Sequence, residues 1–139
     1  MKMTFDQVIQ QLTDKGFTVT DMQISAQTDY TPYHSVRIPV AIDNMVCQVG
    51  SIYSHKNDVY LHFKRPYVVN LAIDNRPSVT VFYEDICSST LENFTEQELS
   101  KAITTIQEAC DKMPQAWNTY IIQNSANDLR SLTGSCNSQ

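Results

Sequence analysis

Along the chain the spacing of apolar residues changes from helical to alternating and back to helical, which divides it into three regions. Phe5, Val8, Ile9 and Leu12 fall at i, i+3, i+4 and i+7, the stripe of one helix face. Thr4 and Gln7 have capping-box spacing ahead of it, and Met3 and Val8 can staple its entry. Gly16 supplies a left-handed stop, with Phe17 folding back towards Leu12.

Alternation follows. Residues 17–26 read as a half-buried strand, then residues 27–34 as a polar loop. Val36, Ile38, Val40 and Ile42 alternate again and end at Asp43-Asn44, a hairpin turn. Pro39 inside this run marks an edge strand or a bulge, because it has no N–H for a ladder. Met45–Ser54 and Asp58–Lys64 flank a turn centred on Lys56-Asn57, which sets Ile52 against Leu61 and Gly50 against Phe63. In that register Val46, Ile52, Val59, Leu61 and Phe63 share one face, and Cys47, Ser51, Tyr53, Tyr60 and His62 the other. Tyr67–Ile73 and Ser78–Tyr83 form a further pair around residues 74–77, with helix the alternative for residues 66–73.

Residues 85–93 read as an acidic, Ser-rich connection. Thr95 and Glu98 box the start of a second helix, Phe94 staples onto Leu99, and Leu99, Ala102, Ile103, Ile106, Ala109, Cys110 and Met113 form its stripe. Pro114 is expected to end it and open a third helix carrying Trp117, Tyr120, Ile121, Leu129 and Leu132. The expected fold is therefore α+β: an N-terminal helix, an antiparallel five- to six-stranded meander and two C-terminal helices packed on the sheet. One domain is expected over residues 1–134, with a flexible tail at 135–139.

Composition narrows the function classes. The chain has 139 residues, 42% of them hydrophobic and only 18% charged, a folded rather than a disordered composition. Its glycines, Gly16, Gly50 and Gly134, lie too far apart for a phosphate-cradling loop. A net charge of -5 disfavours a surface that grips nucleic acid as a whole. No apolar run is long enough for a membrane span, and no signal segment opens the chain, so the expected compartment is cytoplasmic. Cys47, Cys87, Cys110 and Cys136 lack any Cys-x-x-Cys pair and are read as free thiols.

Candidate chemistry is sparse. Cys47, His55 and His62 are the nearest approach to a metal set, but close local pairs are missing and no metal or cofactor is expected. Cys87, at a strand end, is the better placed of the thiols for a nucleophile, while Cys110 lies on the apolar helix stripe. Ser88, Ser89 and Thr90 lack the Gly-x-Ser-x-Gly elbow, and no catalytic residue is assigned. Lys56, Lys64, Arg65 and Arg76 are interleaved with tyrosines, a weak nucleic-acid signature diluted by Asp58 and Asp74. Tyr30, Tyr33 and His34 in the polar loop, with Tyr53, Tyr60 and His62 on one hairpin face, are the side chains best suited to bind another protein.

The order of elements from Val36 to Asp85, with Asn70-Leu71 and a strand opening at Pro77-Ser78-Val79, resembles the flavin-binding split barrels of the pyridoxamine-phosphate-oxidase type. That resemblance spans Val36–Asp85 and implies a small-molecule or flavin site in a homodimer, with oxidoreductase activity. It assigns no site residues, and the helices beyond residue 86 depart from its pattern. The reading favoured by the residues themselves is a non-catalytic protein-interaction module, such as a small adaptor or an immunity-type or phage-type inhibitor, with the flavin protein as alternative.

Overall fold

The computed structural model describes residues 2–22 and 33–137, and the side chains of all of these but 22 and 127–137. Helix α1, Phe5–Asp14, begins as its sequence requires. Thr4 Oγ1 accepts from the Gln7 N–H at 3.2 Å, and the Gln7 side chain accepts from the Thr4 N–H at 2.9 Å. Gly16, at φ +92°, ends it and the Phe17 N–H returns to the Leu12 carbonyl. Val8 and Leu12 are fully buried.

Strands β1 (Thr18–Met22), β2 (Tyr33–Pro39), β3 (Val46–His55), β4 (Asp58–Ile73) and β5 (Arg76–Thr90) follow as one antiparallel sheet in the order β1-β2-β3-β4-β5. Positions 23–32, including most of the expected loop, lie outside the described residues. The part of that loop that is described is strand, since Tyr33 pairs with Met22 and His34 with Asp21. Pro39 does not make β2 an edge strand. It is the last residue of a central strand, beyond the end of the β1 pairing, and a bulge sits two residues before it.

The β3–β4 hairpin has the expected register, with Gly50 opposite Phe63 and Ile52 opposite Leu61. Lys56 (φ 49°) and Asn57 (φ 71°) both take positive φ, as a two-residue type I′ turn requires. The expected face assignment fails at one end. Val36 pairs with Gly50 but Arg37 with Gln48, which leaves Val49 as an extra residue. A bulge of this kind reverses which side chains point inward. Cys47 and Val49 therefore join the core and Val46 is 55% exposed.

Strand β5 begins right after its turn, where Asp74 and Asn75 both have positive φ. It continues through the residues expected to form a connection, since Ser88, Ser89 and Thr90 pair with His62, Leu61 and Tyr60. A short 3-10 turn, Leu91–Asn93, leads into helix α2. Thr95 caps α2 by accepting from the Glu98 N–H at 3.1 Å.

The two expected C-terminal helices are one. Helix α2 spans Glu96–Asn137, 42 residues with Pro114 inside it, or roughly 63 Å at 1.5 Å per residue. An interior proline costs about 3 kcal/mol through a lost hydrogen bond and a clash. Contacts on both sides of it favour continuation: Met113 is buried and Trp117 packs on the core, and Asn124 exchanges two amide hydrogen bonds with Asn70 of β4. The core is formed where α1 and the first half of α2 cover the sheet, around Phe63, Phe94, Ile52, Leu61, Leu99 and Ile106.

Beyond Phe63 the ladder between β3 and β4 stops, and β4 continues with β5 alone as a two-stranded arm. In a two-residue hairpin the flanking pair, here Ile73 and Arg76, is hydrogen-bonded, and bonded and non-bonded pairs then alternate. Pro66 and Pro77 both fall in non-bonded pairs. Their missing N–H groups thus face away from the arm's own ladder, where they cost it nothing.

Candidate protein-binding face

Strand alternation separates the residues that sequence reasoning grouped. Tyr33, Tyr53 and Tyr60 occupy neighbouring positions on β2, β3 and β4, on the side opposite the buried Ile52 and Leu61. Their rings stack across the strands: Tyr33 on Tyr53 at 5.9 Å and Tyr53 on Tyr60 at 5.5 Å, each pair inclined by 16°. Each such pair contributes about 0.5–1.5 kcal/mol beyond its burial. Because the rings lie face to face with one another, the ladder presents ring edges and hydroxyls outward.

A polar row lies beside it, Ser35–Ser51–His62–Ser88, one residue from each of four strands. Ser35 and Ser51 are buried, and Arg37 Nε donates to Ser35 Oγ at 3.1 Å. His62 Nε2 stands 2.8 Å from Asp85 Oδ1, and both side chains are open to water. This pair was not legible in sequence: the bulge at Phe63/Lys64 sets Cys87 against Phe63 and brings Asp85 back towards the His62 row. Serine, histidine and aspartate meet here, yet no hydrogen bond joins either serine to the imidazole. Ser51 also lies on a strand paired on both sides, so its backbone is committed to the ladder and not to an oxyanion.

His34 points the other way. Its ring packs on Phe5 of α1 at 5.0 Å between centroids and its Nδ1 meets Asp21, so it belongs to the inner side of the sheet. Tyr30 lies outside the described residues. The supposed ligand set also disperses. Cys47 is in the core, His55 tilts against Tyr60 at the hairpin end and His62 is on the outer face. Among the described residues no three His, Cys, Asp or Glu side chains are grouped to hold a metal.

The basic residues do not form one patch. Lys56 and Arg76 occupy the turns at opposite ends of the 16-residue β4, roughly 50 Å apart along an extended strand. Arg65 is bonded to Glu84, and Lys64 Nζ sits 4.6 Å from the centre of the Tyr83 ring.

Cys47 and Cys110 are buried and Cys87 is partly buried. Burial pushes the Cys47 thiol up, partly offset by a hydrogen bond from the Tyr83 hydroxyl. Burial, followed by the neighbouring Cys47, pushes Cys110 up to about 12, and Cys87 is raised by burial and then by Glu98. Thiols held protonated are poor nucleophiles. Four surface clefts among the described residues measure about 190 Å³ beside α1, 220 Å³ around Phe5 and Ile52, 300 Å³ between α1 and α2, and 260 Å³ around Val46, Tyr83 and Trp117. Among the described residues no helix is long and apolar enough to cross a membrane.

Comparison with known proteins returns no match to this chain among family models, curated proteins or solved structures.

Proposed function

We propose that the chain is a protein-binding module that engages its partner through the outer sheet face centred on the tyrosine ladder. The observation that carries this reading is the continuous Tyr33–Tyr53–Tyr60 stack on the side of the sheet opposite the core. Tyrosine offers a large apolar ring and a polar tip at low entropic cost, which is why it is enriched at interfaces. Three in line present ring edges and hydroxyls side by side, with the His62–Asp85 pair open to water beside them.

The alternatives fit less well. Single-stranded nucleic acid needs free ring faces and a basic track, whereas these rings stack on one another and the cations are dispersed. Ligands of drug size occupy clefts of about 300–1,000 Å³, and the clefts described above lie at or below the lower bound.

The test compares partner capture by the native protein with that by Tyr33→Ala/Tyr60→Ala, using a control substituted on the arm, Tyr67→Ser. Quantitative mass spectrometry of proteins cross-linked in the native host should show a set lost in the ladder variant and kept in the control. The melting temperature of the ladder variant should fall by only a few degrees, since two stacking contacts are removed. Identical capture by all three proteins would exclude this face as the binding site.

A further inference from the structure

The outer edge of β5 is the longest unpaired strand edge in the described structure. β5, 15 residues long, pairs with β4 at every position but the bulged Ile86, and among the described residues no other backbone bonds to its far side. An open edge is a template for another strand. Natural sheets guard such edges with inward-pointing charges and covering loops, yet between Pro77 and Tyr83 this one carries only Ser, Val, Thr and Phe.

The alternation set by the Asp74-Asn75 turn decides which groups face out. Arg76, Ser78, Thr80, Phe82 and Glu84 bond to β4, and Pro77, Val79, Val81 and Tyr83 turn their backbone outward. Charges mark a centre in this segment. Arg76 and Glu84 lie four residues to either side of Thr80, so an antiparallel copy of the strand centred on Thr80 sets each Arg76 opposite the other copy's Glu84. The same register sets Val79 opposite Val81 and Thr80 opposite itself. Both hydrogen bonds from Arg65 go to Glu84 Oε2, which leaves Oε1 to meet the incoming guanidinium.

We propose that two copies of this chain join edge to edge through β5, residues 76–84, about a two-fold axis at Thr80, forming one continuous ten-stranded sheet. The outward N–H groups of Val79, Val81 and Tyr83 in each copy supply the new ladder. Pro77 accepts with its carbonyl and lacks only a donor at the ladder's end. Phe82, 42% exposed, gains the neighbouring Ser78 position of the second copy as cover. This contact is independent of the tyrosine ladder, which meets β5 only at Thr90 and stays open in the pair.

The test is sedimentation equilibrium of the full chain and its variants, with circular dichroism to verify folding. The native protein should sediment as a dimer. Arg76→Glu and Glu84→Arg should each weaken self-association about tenfold, because each places like charges opposite one another twice. An equimolar mixture of the two variants should regain native affinity, since both cross-pairs are then complementary. Val79→Pro removes an outward N–H without touching the β4 ladder and should leave a folded monomer. A native protein that stays monomeric up to high concentration overturns the proposal. So does a dimer indifferent to Arg76→Glu, or variants whose mixture associates no better than either alone.

Discussion

The body of the sheet and the arm that leaves it are built from the same two strands under opposite conditions. Up to Phe63, β4 is flanked on both sides, its inward residues Leu61 and Phe63 are fully buried, and its outward residues are tyrosine and histidine. Beyond Phe63 only β5 accompanies it, α2 covers one side, and the other side shows Tyr67, Ile73 and Phe82 to water. Apolar residues are plentiful in both, with Tyr67, Val68, Val69, Leu71, Ala72 and Ile73 in the arm. What differs is the number of neighbouring layers, so a row of apolar side chains stabilises the fold in one place and remains available for contact in the other.

The sharpest way to break this contrast is to truncate one phenylalanine from each region. Phe63→Ala should cost about 3–5 kcal/mol through the cavity it leaves, read as a fall of roughly ten degrees or more in melting temperature. Phe82→Ala should change stability by less than about 1 kcal/mol, as surface substitutions do. Equal losses at the two sites would mean that the arm is covered after all.

Gly50→Ala probes how tightly the body is closed. A Cβ there would lie 2.7 Å from the His62 carbonyl oxygen and 2.9 Å from Phe63 Cδ1, and overpacking of this kind costs about 1–3 kcal/mol. Chemical denaturation should show the loss with an unchanged m-value.

The smallest effect concerns the junction of the two regions, where the Tyr83 hydroxyl meets Cys47. Burial, then Cys47, pushes Tyr83 up from 10.0 to about 12. A raised value means that the unfolded chain ionises first. The associated stability is intact below pH 10 and is lost as pH rises towards 12. Tyr83→Phe should flatten the decline of stability between pH 10 and 12, measured by denaturant titration, and an unchanged slope would place the ionisation elsewhere.

Local chemistry accounts for the parts of the molecule that were legible beforehand. The Thr4–Gln7 box, the Thr95 cap on the Glu98 N–H, the Gly16 stop and the Lys56-Asn57 turn depend on residues within a few positions of one another, and the hairpin register follows from its turn. The tyrosine row across β3 and β4 came with that register. The extension of the row to Tyr33, and the removal of His34 to the other side, needed the pairing of β2 with β3. Nor could the His62–Asp85 contact be foreseen, since it depends on a bulge that no residue type announces. Pro114 misled for a related reason: its local cost is real, but packing on either side of it is invisible to a local rule.

By itself the sequence determined the alternation of helix and strand, the places where strands turn and the absence of familiar catalytic motifs, because these are set by backbone chemistry over short spans. Tertiary structure decided where the bulges fall, which face is buried past each of them, and that two apparent helices are one. Those outcomes depend on the balance between ladder hydrogen bonds and burial of side chains far apart in the chain. A one-residue shift at a bulge reverses every side chain beyond it, and there only the assembled layers select which face is buried.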